Sequence, residues 1–176
     1  WTFENLSSAS NAAMDPNSLM TAESLTETAA NGIHRFYSPI IPTSGPVTAS
    51  LFVKPNGRTC VSLQLGDFGS LAIARFNLTA SGSVVSTNAG IVSASITAEA
   101  NGWYRISATS TGHPNYRMRF YVNNGSCADS YVGNASLGVY VWGAKLESGS
   151  TASPYVSSTG LGVNSLELNK APGSTL

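Results

Sequence analysis

Apolar and polar residues alternate with a period of two through the middle of this chain, and that alternation restricts its fold more than any other feature. Residues 47–54 show it most clearly, because Val, Ala, Leu and Val alternate there with Thr, Ser, Phe and Lys. A period of two predicts a β-strand with one buried face. Six more segments of this kind follow, at residues 60–65, 71–78, 91–98, 103–109, 117–122 and 138–147.

Short turn sequences separate these segments, and no helical pattern lies between them. Pro55-Asn56-Gly57, Asn101-Gly102 and Asn123-Asn124-Gly125 are typical of turns between strands. A parallel α/β sheet is disfavoured, because its strands need crossover helices. We predict an all-β fold, a two-sheet antiparallel β-sandwich of the jelly-roll kind. Its predicted core contains Leu51, Val53, Leu63, Leu65, Met118, Phe120, Val122 and Trp142.

The two ends of the chain lack this regular pattern. Residues 1–46 have weak periodicity and several prolines, so we expect loops and edge strands there, or a short helical turn near residues 21–30. Residues 157–176 are rich in Ser, Gly and Asn, which predicts a tail or a linker. We therefore assign residues 1–156 to one domain. Because the chain opens at Trp1, we expect a segment of a longer protein or a processed chain.

The chain carries few charges for its size, which limits the partners it can have. Charged residues make up 10% of the composition, and nine basic residues balance nine acidic ones. Nucleic-acid-binding proteins show a basic surplus, so we expect no nucleic-acid partner. No apolar run reaches the length needed to cross a bilayer, so we expect no membrane insertion.

Cys60 and Cys127 are the only cysteines, and their separation does not suit a metal site. In an oxidising compartment they can form a disulfide, and otherwise they are unpaired thiols. The sequence leaves both alternatives open.

The residue types that catalysis most often uses are sparse and scattered. His34 and His113 are the only histidines, and neither lies at metal-ligand spacing from an acid or a cysteine. The sequence contains no Gly-x-Ser-x-Gly elbow and no phosphate-binding glycine loop, and its acids form no close pair. We therefore expect a protein that binds and does not catalyse. An enzyme with acids clustered in a cleft is the weaker alternative.

Five short segments, taken in their order along the chain, carry a family resemblance. They are Ser50-Leu-Phe-Val-Lys54, Phe76-Asn-Leu78, Asn101-Gly-Trp-Tyr-Arg105, Val141-Trp-Gly-Ala-Lys-Leu-Glu147 and Pro154-Tyr155. This order resembles the carbohydrate-binding-module-like jelly-roll domains of bacteriophage tail, fibre and head-decoration proteins and of some secreted bacterial proteins. The fold that the resemblance implies agrees with the alternation pattern.

The resemblance also implies a function and a location. It implies a non-catalytic glycan-binding module of a larger virion or secreted bacterial protein, at the virion surface or outside the cell. Such a module attaches its parent protein to a surface polysaccharide. The alternative is a purely structural decoration or spacer domain, whose partners are neighbouring domains or subunits of the parent.

Two of the predicted strands place polar side chains opposite their apolar ones. Arg117, Arg119 and Tyr121 lie opposite the apolar face of one strand, and Ser62 and Gln64 lie opposite that of another. If both strands share a sheet, these five residues form one surface with an aromatic ring, two cations and two neutral hydrogen-bonding groups. We therefore predict that this surface binds the glycan, because guanidinium groups match carboxylates and hydroxyls.

The resemblance further implies a structural calcium ion, since sandwiches of this kind often hold one. Calcium takes six to eight oxygen ligands, from carboxylates and backbone carbonyls. Asp15, Glu23 and Glu147 are the candidate ligands, chosen by residue type alone.

Overall fold

The computed structural model describes residues 1–42, 45–66 and 71–156. The only helical element in these ranges is one 3₁₀ turn, Ala100–Gly102. The described strands are β1 (Thr2–Glu4), β2 (Leu6–Ala13), β3 (Ala22–Glu27), β4 (Asn31–Ile33), β5 (Arg35–Tyr37), β6 (Ile41–Pro42), β7 (Val47–Asn56), β8 (Cys60–Leu65), β9 (Ala72–Asn77), β10 (Ser83–Thr87), β11 (Ile91–Ala98), β12 (Tyr104–Ser110), β13 (Asn115–Tyr116), β14 (Arg119–Asn123), β15 (Ser130–Val132) and β16 (Gly138–Ser148).

These strands form two six-stranded sheets that pack face to face. Sheet A has the order β1-β5-β14-β8-β9-β10, and sheet B has the order β11-β12-β7-β16-β3-β2. Neighbouring strands in both sheets are antiparallel. Two further pairs, β13 with β6 and β15 with β4, lie outside the large sheets. The predicted all-β, two-sheet antiparallel sandwich is confirmed.

The space between the sheets is filled by the apolar sides of the alternating strands. Seven of the eight predicted core residues are fully buried there, all except Trp142. Trp142 pairs with Phe52 across β16 and β7, and both side chains lie on the outer face of sheet B. The prediction for Trp142 was wrong because the adjacent Val141 points inward, and a period of two then turns Trp142 outward.

The first 46 residues form more regular structure than their sequence indicated. β3 lies between β16 and β2, and β5 lies between β1 and β14, so both are interior strands. Leu25 on β3 and Phe36 on β5 are fully buried in the core. The prediction of loops, edge strands or a helical turn therefore failed for these two segments, because a three- to six-residue strand offers too few alternations to recognise.

A disulfide between Cys60 and Cys127 resolves the alternative that the sequence left open, with the two Cα atoms 5.4 Å apart. It ties the start of β8 to the segment before β15, across 67 positions of sequence. Closing a loop of this length restricts the unfolded chain and contributes about 2–4 kcal/mol to stability. The tail or linker predicted at residues 157–176 lies outside the described residues.

Glu27, at the end of β3, is a buried carboxylate that joins four parts of the chain. Its oxygens accept hydrogen bonds from Arg58 Nε at 2.6 Å and Nη2 at 2.8 Å. The Tyr131 hydroxyl donates at 2.6 Å, and the Asn134 N–H donates at 2.8 Å. Four donors on two oxygens satisfy the carboxylate, which makes its burial tolerable.

The charge of Glu27 is fixed by these contacts. Burial raises the pKa of the carboxyl, but the hydrogen bonds from Arg58, Tyr131 and Asn134 outweigh it, so the pKa lies below its ordinary value of 4.5. Burial and the bond to Glu27 raise the pKa of Tyr131, so that hydroxyl stays protonated and keeps donating. Glu27 is therefore ionised in the folded chain.

We predict that the free energy of unfolding depends on pH through Glu27. Because its pKa is lower folded than unfolded, its contribution is present above pH 4.5 and is lost as the pH falls through the folded value. Glu27→Gln should cost about 3–5 kcal/mol at neutral pH, since it leaves Arg58 without its charge partner. It should also flatten the decline toward low pH. Urea unfolding at a series of pH values measures both effects.

Glu4→Gln is the matched control for this prediction. Glu4 also pairs with an arginine, Arg35, but its side chain is 40% exposed. Its loss should cost less than about 1 kcal/mol and should leave the acid dependence intact. An equal loss in the two variants would show that Glu27 has no special role.

Candidate functional site

The outer face of sheet A, turned away from sheet B, carries most of the residues expected to bind a ligand. Strands β8 and β14 are neighbours, as the prediction required. Their register pairs Tyr121 with Ser62 and Arg119 with Gln64. We call this surface the polar face. It also holds Arg35 and Tyr37 of β5 and Arg75 of β9.

The four residues of β8 and β14 lie together, but they do not form an open surface. The exposed fractions are 1% for Ser62, 3% for Gln64, 3% for Arg119 and 5% for Tyr121. The Ser62 hydroxyl donates to Asn123 Oδ1 at 2.7 Å, and Arg119 Nη1 donates to the Gly66 carbonyl at 3.0 Å. The expectation of an exposed set is corrected: these side chains bond to protein groups and form the floor of the polar face.

A chain of hydrogen bonds runs across this floor from one edge of sheet A toward its centre. Arg35 Nε donates to Glu4 Oε2 at 2.8 Å, and Arg35 Nη1 donates to the Tyr121 hydroxyl at 2.9 Å. That hydroxyl donates in turn to Gln64 Oε1 at 2.7 Å. Each group in the chain holds the next in one orientation, so the side chains are fixed before any ligand arrives.

The accessible part of the polar face lies around Tyr37. Its ring centroid is 4.9 Å from the guanidinium carbon of Arg117 and 5.5 Å from that of Arg35. All three side chains are partly exposed, and Arg117 is the one predicted residue in this accessible group. We call Arg35, Tyr37 and Arg117 the open side. It places two guanidinium groups beside one aromatic ring, in the partly exposed region of the polar face.

Sequence reasoning missed Arg35 and Tyr37. They belong to a three-residue strand in the segment whose periodicity was weak. The sequence feature that could have identified them is Arg35-Phe36-Tyr37 itself, because one apolar residue stands there between two polar or aromatic ones. In the structure Phe36 is buried and its two neighbours point outward.

The far end of the polar face is closed by the segment that follows β14. Arg75 Nη2 lies 2.5 Å from Asp129 Oδ2, and Asn123 Nδ2 donates to Asp129 Oδ1 at 2.8 Å. The disulfide at Cys127 holds the same segment against β8. The arrangement of the polar face therefore depends on contacts between residues far apart in sequence.

The three predicted calcium ligands do not come together. No three His, Cys, Asp or Glu side chains within the described ranges are grouped so that they could hold a metal ion. Glu147 pairs with Lys145 at 2.9 Å and accepts from the Ser153 N–H, and Glu23 is buried elsewhere, on β3. The set does not fit a calcium ion, because candidates chosen by residue type carry no information about distance.

Asp15 is buried because it organises its own loop. Oδ1 accepts from the N–H groups of Asn17 at 2.7 Å and Leu19 at 3.1 Å, and Oδ2 accepts from the Thr21 hydroxyl at 2.5 Å. This pattern is an Asx turn, in which a carboxylate replaces backbone partners. The carboxylate therefore has a structural role in residues 14–21.

The outer face of sheet B carries a second group of aromatic rings. Trp142 and Tyr155 have centroids 4.2 Å apart, and Phe52 lies 5.4 Å from Trp142. A groove of about 280 Å³ lies farther along this face, lined by hydroxyls such as Ser95, Ser107 and Thr109 and by Arg105. This face also carries charged groups that are held in place: Lys145 pairs with Glu147 at 2.9 Å, and Lys145 and Arg105 both donate to Ser153.

The histidines occupy separate places in the fold. His34 is buried and stacks on Tyr131 with ring centroids 4.5 Å apart, while its Nε2 lies 3.3 Å from the Thr28 carbonyl oxygen. His113 meets Tyr116 edge to face at 5.3 Å.

No protein-family model matches this chain, and no curated protein matches it in sequence. Within the described ranges, the structure has no helix of the length and apolar character that a membrane span requires. The resemblance to carbohydrate-binding-module-like domains therefore stays a prediction.

We predict that the Tyr121 hydroxyl is needed for stability. Tyr121→Phe removes the group that joins Arg35 to Gln64, and it leaves a buried acceptor without its donor. The free energy of unfolding should fall by about 1–3 kcal/mol. Tyr140→Phe, at a half-buried tyrosine on the outer face of sheet B, is the control and should change it by less than about 0.5 kcal/mol. Urea unfolding measures both, and equal losses would contradict the prediction.

Proposed function

We propose that this domain is a non-catalytic glycan-binding module that holds its ligand on the open side of the polar face. The observation that carries the proposal is the fixed chain from Glu4 through Arg35 and Tyr121 to Gln64. Apolar residues could fill the same volume at similar or lower cost. Stability alone therefore does not explain a polar chain at this place. We infer that it holds protein side chains in the orientation that a ligand needs.

The charge of the polar face favours an acidic glycan. Among the described residues it gathers four arginines around two carboxylates, Glu4 and Asp129. Guanidinium groups bind carboxylates in a bidentate way and also donate to sugar hydroxyls. A polysaccharide that bears carboxylates offers the groups that a guanidinium-rich surface can bind.

The fixed side chains also bear on affinity. A ligand pays less entropy where the protein groups are already ordered, so a small contact area suffices for measurable binding. One shallow site still binds weakly. Several copies in a virion or a secreted oligomer would raise the overall affinity through effective concentration. The domains that this chain resembles occur in virion and secreted proteins, where several copies could act together in this way.

We predict that Tyr37→Ala with Arg117→Ala weakens glycan binding at least tenfold, while the melting temperature stays close to that of the wild type. These side chains are partly exposed, so their removal leaves the buried chain intact. A glycan array that includes acidic polysaccharides selects the ligand, and titration calorimetry with that ligand gives the affinities.

The matched control is Tyr140→Ala with Lys54→Ala, an aromatic and a cation paired across β16 and β7 in sheet B. It should bind as the wild type does. Full binding by the Tyr37 and Arg117 variant would rule out the open side as the site. Binding of no glycan by the wild type, tested as the isolated chain and as its native oligomer, would overturn the proposal.

One observation favours the alternative of a structural domain that contacts neighbouring subunits. The loop fixed by Asp15 exposes three large apolar side chains, Met14 at 59%, Leu19 at 60% and Met20 at 53%. The Met14 carbonyl also accepts from Trp103 Nε1 at 3.2 Å, which anchors the loop to sheet B. Rigid exposed apolar groups are typical of protein contact surfaces.

Methionine oxidation tests this alternative. In the isolated chain, dilute peroxide should oxidise Met14 and Met20 quickly, while Met118, which is fully buried, serves as the internal control. In the assembled parent protein, a structural contact should slow oxidation at Met14 and Met20 several-fold, as measured by peptide mass spectrometry. Unchanged rates on assembly would exclude this loop as a subunit contact.

A further inference from the structure

We propose that β11 is a dimerisation edge, at which a second copy of this chain adds its own β11 in antiparallel orientation. β11 is the terminal strand of sheet B and pairs only with β12 among the described strands. A terminal strand presents backbone N–H and C=O groups on its free side, and proteins normally block such edges. The four terminal strands of this sandwich differ in whether they are blocked.

Three of the terminal strands carry a recognisable block. β1 has three residues and ends in the charged Glu4. The ladder of β2 with β3 is irregular between Ala9 and Ala13, and Asn11 there has a φ of 54°. β10 has five residues, and its register shifts in the middle, between Val84 and Ser86. Short length, charge and bulges are the usual means of preventing edge pairing.

β11 has no comparable block. Its single register shift lies at its first step, between Ile91 and Ser93. From Ser93 to Ala98, every residue is in regular register with β12. Most of these side chains are exposed. Six regular residues are as long as a typical strand, so the free side of β11 can accept another strand along this length.

The absence of charge identifies the partner as a second copy. Residues 76–98 contain no Lys, Arg, His, Asp or Glu. When two identical strands pair about a two-fold axis, any charge near the axis meets a like charge, which destabilises the pair. A neutral strand avoids this repulsion, and it offers no charge that a different partner could complement. Val92 on β11, which is 63% exposed, adds apolar surface to this edge.

The pairing extends sheet B of one copy into sheet B of the other, giving a continuous sheet of two times six strands. Sheet A is not part of the junction, so the polar face of each copy stays accessible. The dimer would thus present two such faces. The inference itself does not depend on what the polar face binds.

Sedimentation equilibrium on the whole chain tests the proposal. The wild type should show a monomer–dimer equilibrium, and the double variant Val92→Lys with Ser95→Lys should raise the dissociation constant at least tenfold. The control is Val132→Lys with Ser130→Lys on β15, because Val132 is 66% exposed and Val92 is 63% exposed. Added salt should partly restore the dimer of the β11 variant, since it screens the new repulsion.

A second measurement uses the unmodified chain. Amide hydrogen exchange at residues 93–98 should slow as the protein concentration rises, while exchange on β10 and β2 should not change. A wild type that stays monomeric at millimolar concentration would overturn the proposal. So would a dimer that both lysine variants weaken equally, or a dimer whose concentration-dependent protection lies outside β11.

Discussion

The buried carboxylate of Glu27 is the interaction on which the assembly of this sandwich depends. It ends β3 of sheet B and receives Arg58 from the connection that carries the chain from β7 in sheet B to β8 in sheet A. Tyr131 and the N–H of Asn134 bring in the segment that leads back to β16 in sheet B. Apolar packing between the sheets is not directional, whereas four hydrogen bonds on one carboxylate fix where the connections cross.

The sequence predicted the fold well wherever a strand was long enough to repeat its pattern. The bounds of β8 and the residues of β7 and β14 that face the core between the sheets follow directly from alternation. β5 could not be found this way, because three residues do not establish a period. The prediction for Trp142 was wrong for a different reason. Alternation puts this residue on the face opposite Val141, but we assumed that so large an aromatic side chain would be buried between the sheets. It packs against Phe52 and Tyr155 on the outer face.

The candidate site was predictable as a set of neighbours but not as a surface. Alternation put Arg119 and Tyr121 on one side of their strand and Ser62 and Gln64 on one side of theirs, and the register that pairs Tyr121 with Ser62 and Arg119 with Gln64 comes from the structure. Whether a face is open depends on what lies above it, and that is decided by distant segments. Arg35 reaches Tyr121 across 86 positions of sequence. No local pattern encodes such a contact. The sequence therefore predicted an exposed surface from residues that the structure places in the buried floor of the polar face.

The small number of charges in this chain makes their distribution informative. Four of the nine basic residues, Arg35, Arg75, Arg117 and Arg119, lie on or beside the polar face, whereas residues 76–98 have no charge at all. Charge keeps surfaces hydrated and discourages self-association, so the uncharged stretch at residues 76–98 leaves the edge at β11 free to pair. The same distribution supports both proposals: the cations would bind an acidic ligand on sheet A, and the neutral edge of sheet B would join two copies without covering that ligand.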